Sequence, residues 1–138
     1  MGKKKKRWGG RFIYLYDEKM TYLKNKLIEK QKKYLRRKQR VNTQIKLAAP
    51  EYRAIISRSH LYVKVDVVAQ DGKTLASCSD KGVKGATKVE RAELAGVAFA
   101  ELLKSKGIAT ITFDRNGYLY HGRVKAFAEG LRKGGITV

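Results

Sequence analysis

The twelve residues Phe113-Asp114-Arg115-Asn116-Gly117-Tyr118-Leu119-Tyr120-His121-Gly122-Arg123-Val124 are the most distinctive stretch of the chain, with two tyrosines, a histidine and two arginines spaced by glycines. Flat rings and guanidinium planes suit stacking on bases or riboses, while Arg side chains and backbone amides beside a helix start suit phosphates. Gly117 and Gly122 permit backbone angles and close approach that other residues resist. A purely structural use of the same residues is equally available: Asp114 caps the turn, Arg115 pairs with it, and the tyrosines pack the loop down. Taken together in a strongly basic chain, they favour contact with RNA.

That basicity is uneven. Thirty-two Lys and Arg against twelve Asp and Glu give 138 residues a net charge of +20. Residues 1 to 46 hold seventeen of the cations against Asp17, Glu18 and Glu29, a net of +14. Each phosphate neutralised by a cation releases condensed counterions, so a polyanion is the expected partner. Charge alone does not choose between RNA, DNA and an anionic membrane. The densest run, Lys32, Lys33, Arg36, Arg37, Lys38 and Arg40, supplies candidate phosphate contacts.

Other chemistries find less support. Asp66, Asp71, Asp80 and Asp114 are scattered, with only Asp66 expected inside a strand, so the carboxylate cluster of a two-metal nuclease is missing. Cys78 is the sole cysteine, which excludes an intramolecular disulfide, fits a reducing compartment and reads best as a small buried thiol. Neither a metal nor another cofactor nor a small-molecule substrate is implied. The first residues lack the apolar core of a signal peptide, and no run approaches the roughly eighteen apolar residues of a membrane span. Membrane-surface binding is weakened by the few large apolar residues on the basic helix.

The elements that position these residues can be read from spacing. Met20, Leu23, Leu27 and Tyr34 recur at helical intervals, predicting a helix over 19–40. After Pro50 the pattern alternates, predicting strands over 53–57 and 61–68, the second with Leu61, Val63, Val65 and Val67 on one face and Tyr62, Lys64 and Asp66 on the other. Asp71-Gly72 marks a hairpin into a third strand over 74–79. Thr87 and Glu90 form a capping box for a helix that carries Val89, Ala92, Gly96, Phe99 and Leu103 and stops at Gly107. A fourth strand over 108–113 and a last helix with Val124, Phe127 and Leu131 inward complete the order. The expected fold is α/β: a mixed four-stranded sheet, with a three-stranded antiparallel meander plus one crossover strand, packed by helices. A basic arm with an amphipathic helix over 1–46 would precede a globular domain over 47–138.

The stretch from Phe113 to Val138 resembles the C-terminal signature of the bacterial-type large-subunit ribosomal protein family L-eighteen. Ser57, His60-Leu61-Tyr62, Asp71-Gly72, Ala95-Gly96 and Gly107-Ile108 follow in the order and at spacings similar to that family's, so the resemblance covers roughly residues 50 to 138. It implies an RNase-H-like arrangement, binding of 5S rRNA and neighbouring large-subunit rRNA, and adjacent ribosomal proteins as partners; with no obvious transit peptide, a cytoplasmic rather than organellar ribosome is expected. It also implies an RNA surface that includes Ser57, His60, Tyr62, Arg115, Tyr118, Tyr120, His121 and Arg123; Lys64, on the strand face of Tyr62, and Arg58, next to Ser57, are candidate contacts beside it. The chain departs from the family in placing Ile56 rather than a cation before Ser57. Its arm is also longer and richer in aromatics, with Trp8, Phe12, Tyr14 and Tyr16 available to bind an additional RNA or protein surface but expected rather to pack against the helix or sheet.

Overall fold

A computed structural model describes residues 5–8, 11–14 and 18–138, with side chains from residue 21 onward; the packing expected of Trp8, Phe12, Tyr14 and Tyr16 lies outside the described residues. The chain divides into two units, Met1–Arg36 and Arg37–Val138. In the first, β1 (Lys5–Trp8) pairs antiparallel with β2 (Arg11–Tyr14), ahead of the helix α1 (Glu18–Ala48), which runs on into the second unit. Leu23 and Leu27, on the expected apolar face, are exposed, whereas Tyr34 is half-buried.

The helix continues eight residues beyond the expected end at Arg40. Tertiary packing, rather than periodicity, extends it: Ile45 is buried, and Asn42 accepts a hydrogen bond from Arg53 of the sheet. Pro50 disfavours helical backbone at the preceding residue, and Ala49 turns to a positive φ of 42° while its N–H still donates to the Ile45 carbonyl.

The second unit is built on a four-stranded sheet in the order β5-β4-β3-β6, comprising β3 (Tyr52–Arg58), β4 (Val63–Ala69), β5 (Thr74–Ser79) and β6 (Thr112–Asp114). β3, β4 and β5 form the expected antiparallel meander, and the hairpin at Asp71-Gly72 has Gly72 at φ 83°. β6 returns parallel to β3 after the crossover helix α2 (Lys88–Ser105). It is shorter than the predicted strand over 108–113. Ala109 to Ile111 instead meet Thr137 beyond the last helix, α3 (Arg123–Lys133), which takes their backbone groups out of the main ladder.

Helices α2 and α3 supply the apolar cover for the sheet. Ala54, Ile56, Val63, Val65, Val67 and Ala76 share a core with Phe99, Leu103, Phe127 and Leu131, where the two phenylalanine rings lie 6.2 Å apart. Each large side chain fully withdrawn from water stabilises the fold by about 1.5–3 kcal/mol. The Thr87–Glu90 capping box forms, but Val89, on the same face as Ala92 and Gly96, is exposed in the first turn, ahead of the first buried residue, Ala92. The two helices cross through glycine: a Cβ on Gly130 would sit 2.3 Å from the Glu93 carbonyl oxygen, and one on Gly96 would sit 2.5 Å from that of Phe127.

Candidate nucleic-acid interface

The distinctive loop begins at a buried carboxylate. Asp114 closes β6 at 1% exposure, and its Oδ2 accepts from Arg53 Nε at 3.1 Å and Nη2 at 2.6 Å. Its Oδ1 accepts the N–H of Asn116 at 2.8 Å, so the expected cap on the turn is present. The expected partner is not: the charge is met by Arg53, and Arg115 makes no ion pair with it. Parallel register explains the exchange, because Arg53 sits on the strand beside Asp114 and also reaches Asn42 at 2.6 Å. Asp114 therefore lies inside β6 and is neutralised there, correcting the expectation that Asp66 alone would occupy a strand.

Asn116 and Gly117 follow with successive positive φ values of 50° and 81°, and the Tyr118 N–H closes the turn on the Arg115 carbonyl at 2.9 Å. Two left-handed residues in a row suit an Asn-Gly pair. The Gly117 carbonyl accepts from Arg37 Nε at 3.3 Å, so this arginine of the basic run braces the loop.

Opposite the loop, the segment between β3 and β4 is tighter than the alternating pattern suggested. Ser59 Oγ donates to the Tyr62 carbonyl and accepts the Tyr62 N–H, while the Ser59 N–H also donates to that carbonyl. This reciprocal turn takes Leu61 and Tyr62 out of the ladder, so Leu61 is 62% exposed instead of lying on the valine face. Lys88 Nζ donates to the His60 carbonyl at 3.1 Å and braces the turn from the start of α2.

Loop and turn are locked together. The Arg58 guanidinium lies 5.1 Å over the Tyr118 ring, Tyr118 Oη donates to the Arg58 carbonyl at 3.4 Å, and Arg123 Nη2 donates to the Ser59 carbonyl at 3.0 Å. Arg58, His60, Tyr62 and His121 all remain exposed. Ser57 and Lys64 pair across β3 and β4, both exposed, with Lys64 held 3.0 Å from Asp66.

Not every candidate joins this cluster. Arg115 and Tyr120 line a different recess with Phe113 and Arg132, where Tyr120 Oη accepts from Arg132 Nη1 at 2.9 Å. Lys32, Lys33 and Arg36 are exposed on α1 in the first unit; in the second, Arg40 is exposed and Lys38 half-buried. Sequence reasoning missed Arg53, Asn42, Lys88 and Arg132 as positioning residues. Arg53 had a signal, being a cation at the head of the apolar run Ala54-Ile55-Ile56.

The remaining chemistry argues for binding. Asp66 accepts from Ser77 and pairs with Lys64, Asp71 lies 3.7 Å from Lys73, and the buried Asp80 accepts the Val63 N–H through Oδ1 at 2.8 Å while its Oδ2 has no partner; the three do not cluster. The Cys78 thiol is raised above its ordinary pKa chiefly by burial and donates weakly to the Ala95 carbonyl at 3.7 Å. Such a thiol is a poor nucleophile.

A mixed sheet covered on one face by helices, with exposed cations, tyrosine and histidine gathered from two loops, has the make-up of a small nucleic-acid-binding protein. The model for ribosomal L18 of archaea, bacteria, mitochondria and chloroplast matches residues 28–138. The large ribosomal subunit protein uL18 of Lactobacillus delbrueckii subsp. bulgaricus is 47% identical over 114 residues, covering 78% of this chain and 94% of the relative. The uL18 proteins of Staphylococcus aureus, at 42% identity (79% and 95%), and Bdellovibrio bacteriovorus, at 38% (75% and 86%), are similar in the same way. The chain belongs to the uL18 family of ribosomal proteins.

Proposed function

We propose that the chain is a non-catalytic constituent of the large ribosomal subunit, in the cytoplasmic ribosome, that binds 5S rRNA and helps dock it in the central protuberance against neighbouring rRNA and ribosomal proteins. The observation that carries the reading is the lock between the Ser59–Tyr62 turn and the Tyr118–Arg123 loop, which holds Arg58, His60, Tyr62 and His121 exposed on two braced segments. Preformed donors and rings select a structured RNA because little order has to be acquired on binding. In this reading the arm over residues 1–46 supplies charge-driven affinity, and the domain over 47–138, with Ser57, Lys64, Arg115 and Tyr120 as further contacts, supplies choice of partner. Family membership and the local engagement of the carboxylates both support a structural role over a nuclease.

The test is competition binding of the full chain to 5S rRNA, tRNA and anionic vesicles across a salt series. Preference for 5S rRNA that persists at high salt is expected. Equal affinity for all three at every salt concentration refutes the reading.

A further inference from the structure

Arg123 commits only one arm of its guanidinium to the Ser59–Tyr62 turn. Nη2 donates to the Ser59 carbonyl at 3.0 Å, whereas Nη1 is shut off from solvent with no hydrogen-bond partner. A charged nitrogen left in that state is costly, and a nearby acceptor would relieve it. Arg123 lines one open pocket of about 450 Å³ together with Arg58, Ser59 and His60, and no acidic side chain contributes to its wall. Arg123 is also the first residue of α3, whose N-cap, Gly122, offers no side-chain acceptor to the first-turn N–H groups. The positive end of the helix dipole thus adjoins two guanidinium groups and an imidazole.

We propose that this pocket seats a single backbone phosphate of the bound RNA, held by Arg58 and Arg123 with His60 at its rim. The proposal rests on the RNA-binding reading above and adds to it one localised phosphate contact, distinct from the diffuse attraction of the arm. Arg58 is presented by its stack on Tyr118, so its charge is held at the pocket with less loss of side-chain freedom. Arg123 reaches the phosphate by a small swing of the guanidinium that keeps Nη2 on Ser59 and turns Nη1 into the pocket. Arginine's planar fork permits this double duty; the single ammonium of lysine does not reproduce it. The pocket is large enough for a phosphodiester group with part of its ribose, and it is open to solvent.

The test uses the full-length ¹⁵N-labelled protein and inorganic phosphate, titrated at constant ionic strength against chloride. Saturating amide shifts confined to Ser59, His60, Arg123 and Val124 are expected in the wild type and are lost in Arg58→Gln, whose spectrum otherwise changes only around Tyr118, where the stacked guanidinium is removed. His60→Gln, as a second variant, weakens the saturation. Against 5S rRNA, Arg58→Gln lowers the slope of log affinity on log salt by about one, the contribution of one phosphate. Shifts that never saturate, or that saturate equally in Arg58→Gln, overturn the seat. If phosphate saturates the pocket but 5S rRNA is not preferred over tRNA, the seat stands and the 5S reading falls. If 5S rRNA is preferred and the slope of Arg58→Gln is unchanged, the seat falls and the reading stands.

Discussion

Replacing Arg53 by Met isolates the interaction on which the candidate interface is built. Asp114 is 1% exposed and has three donors, two of them from Arg53, whose own side chain is 25% exposed. Removing one partner of a fully buried pair costs about 3–5 kcal/mol, because the remaining charge is left without compensation. Partial exposure of Arg53 lets water share the load, so about 2–4 kcal/mol is expected here. With a urea m-value of about 2 kcal/mol/M, the midpoint falls by about 1–2 M. Arg115→Ala, which touches no ion pair of Asp114, should shift stability by less than about 0.5 kcal/mol. The double variant Arg53→Met with Asp114→Leu should recover much of the loss, since no buried charge remains. Urea unfolding of the wild type and these three variants, followed by circular dichroism, supplies the comparison. The reasoning is refuted if Arg53→Met leaves the midpoint unchanged, or if Arg115→Ala costs as much as Arg53→Met.

Truncation after Arg36 removes thirteen Lys and Arg but spares Asn42 and Ile45, so the remaining unit should stay folded while the salt dependence of 5S rRNA affinity flattens; an unchanged slope would place the arm away from the RNA. Tyr118→Ala removes both the ring under Arg58 and the hydroxyl on its carbonyl, and should reduce discrimination of 5S rRNA over tRNA more than it alters the salt slope, as competition binding can read. Gly130→Ala drives a methyl group to 2.3 Å from the Glu93 carbonyl and should destabilise the α2–α3 crossing by about 1–3 kcal/mol or more in thermal unfolding. The Cys78 thiol, raised by burial, favours the protonated form in the folded chain: its contribution to stability is present below the unfolded thiol's pKa and fades as pH rises through the higher folded value. Iodoacetamide should accordingly alkylate Cys78 far more slowly in the folded protein than in urea at pH 8, and equal rates would contradict the burial argument.

The parts legible in the sequence are those encoded by local chemistry. The Thr87–Glu90 capping box, the Asp71-Gly72 hairpin, the buried valines of β4 and the inward face of α3 each depend on residues close together in the chain, and each forms as expected. The failures occur where a distant group intervenes. Helix α1 runs on to Ala48 because Asn42 and Ile45 meet the domain, and Leu61 leaves the valine face because Ser59 closes a turn over it. The strand expected over 108–113 shortens because Thr137 takes its first backbone groups.

The interface divides in the same way. Composition and the Phe113–Val124 stretch determined that the chain is basic toward one end and carries rings, cations and turn-forming glycines at the other, since residue type is all that charge and stacking chemistry require. Only the tertiary structure decided which of those groups meet. Parallel pairing of β3 with β6 put Arg53, not Arg115, beside Asp114, and the contact between two loops more than fifty residues apart placed Arg58 over Tyr118 and Arg123 on Ser59. Long-range pairing depends on the register of the whole sheet, which no local spacing specifies.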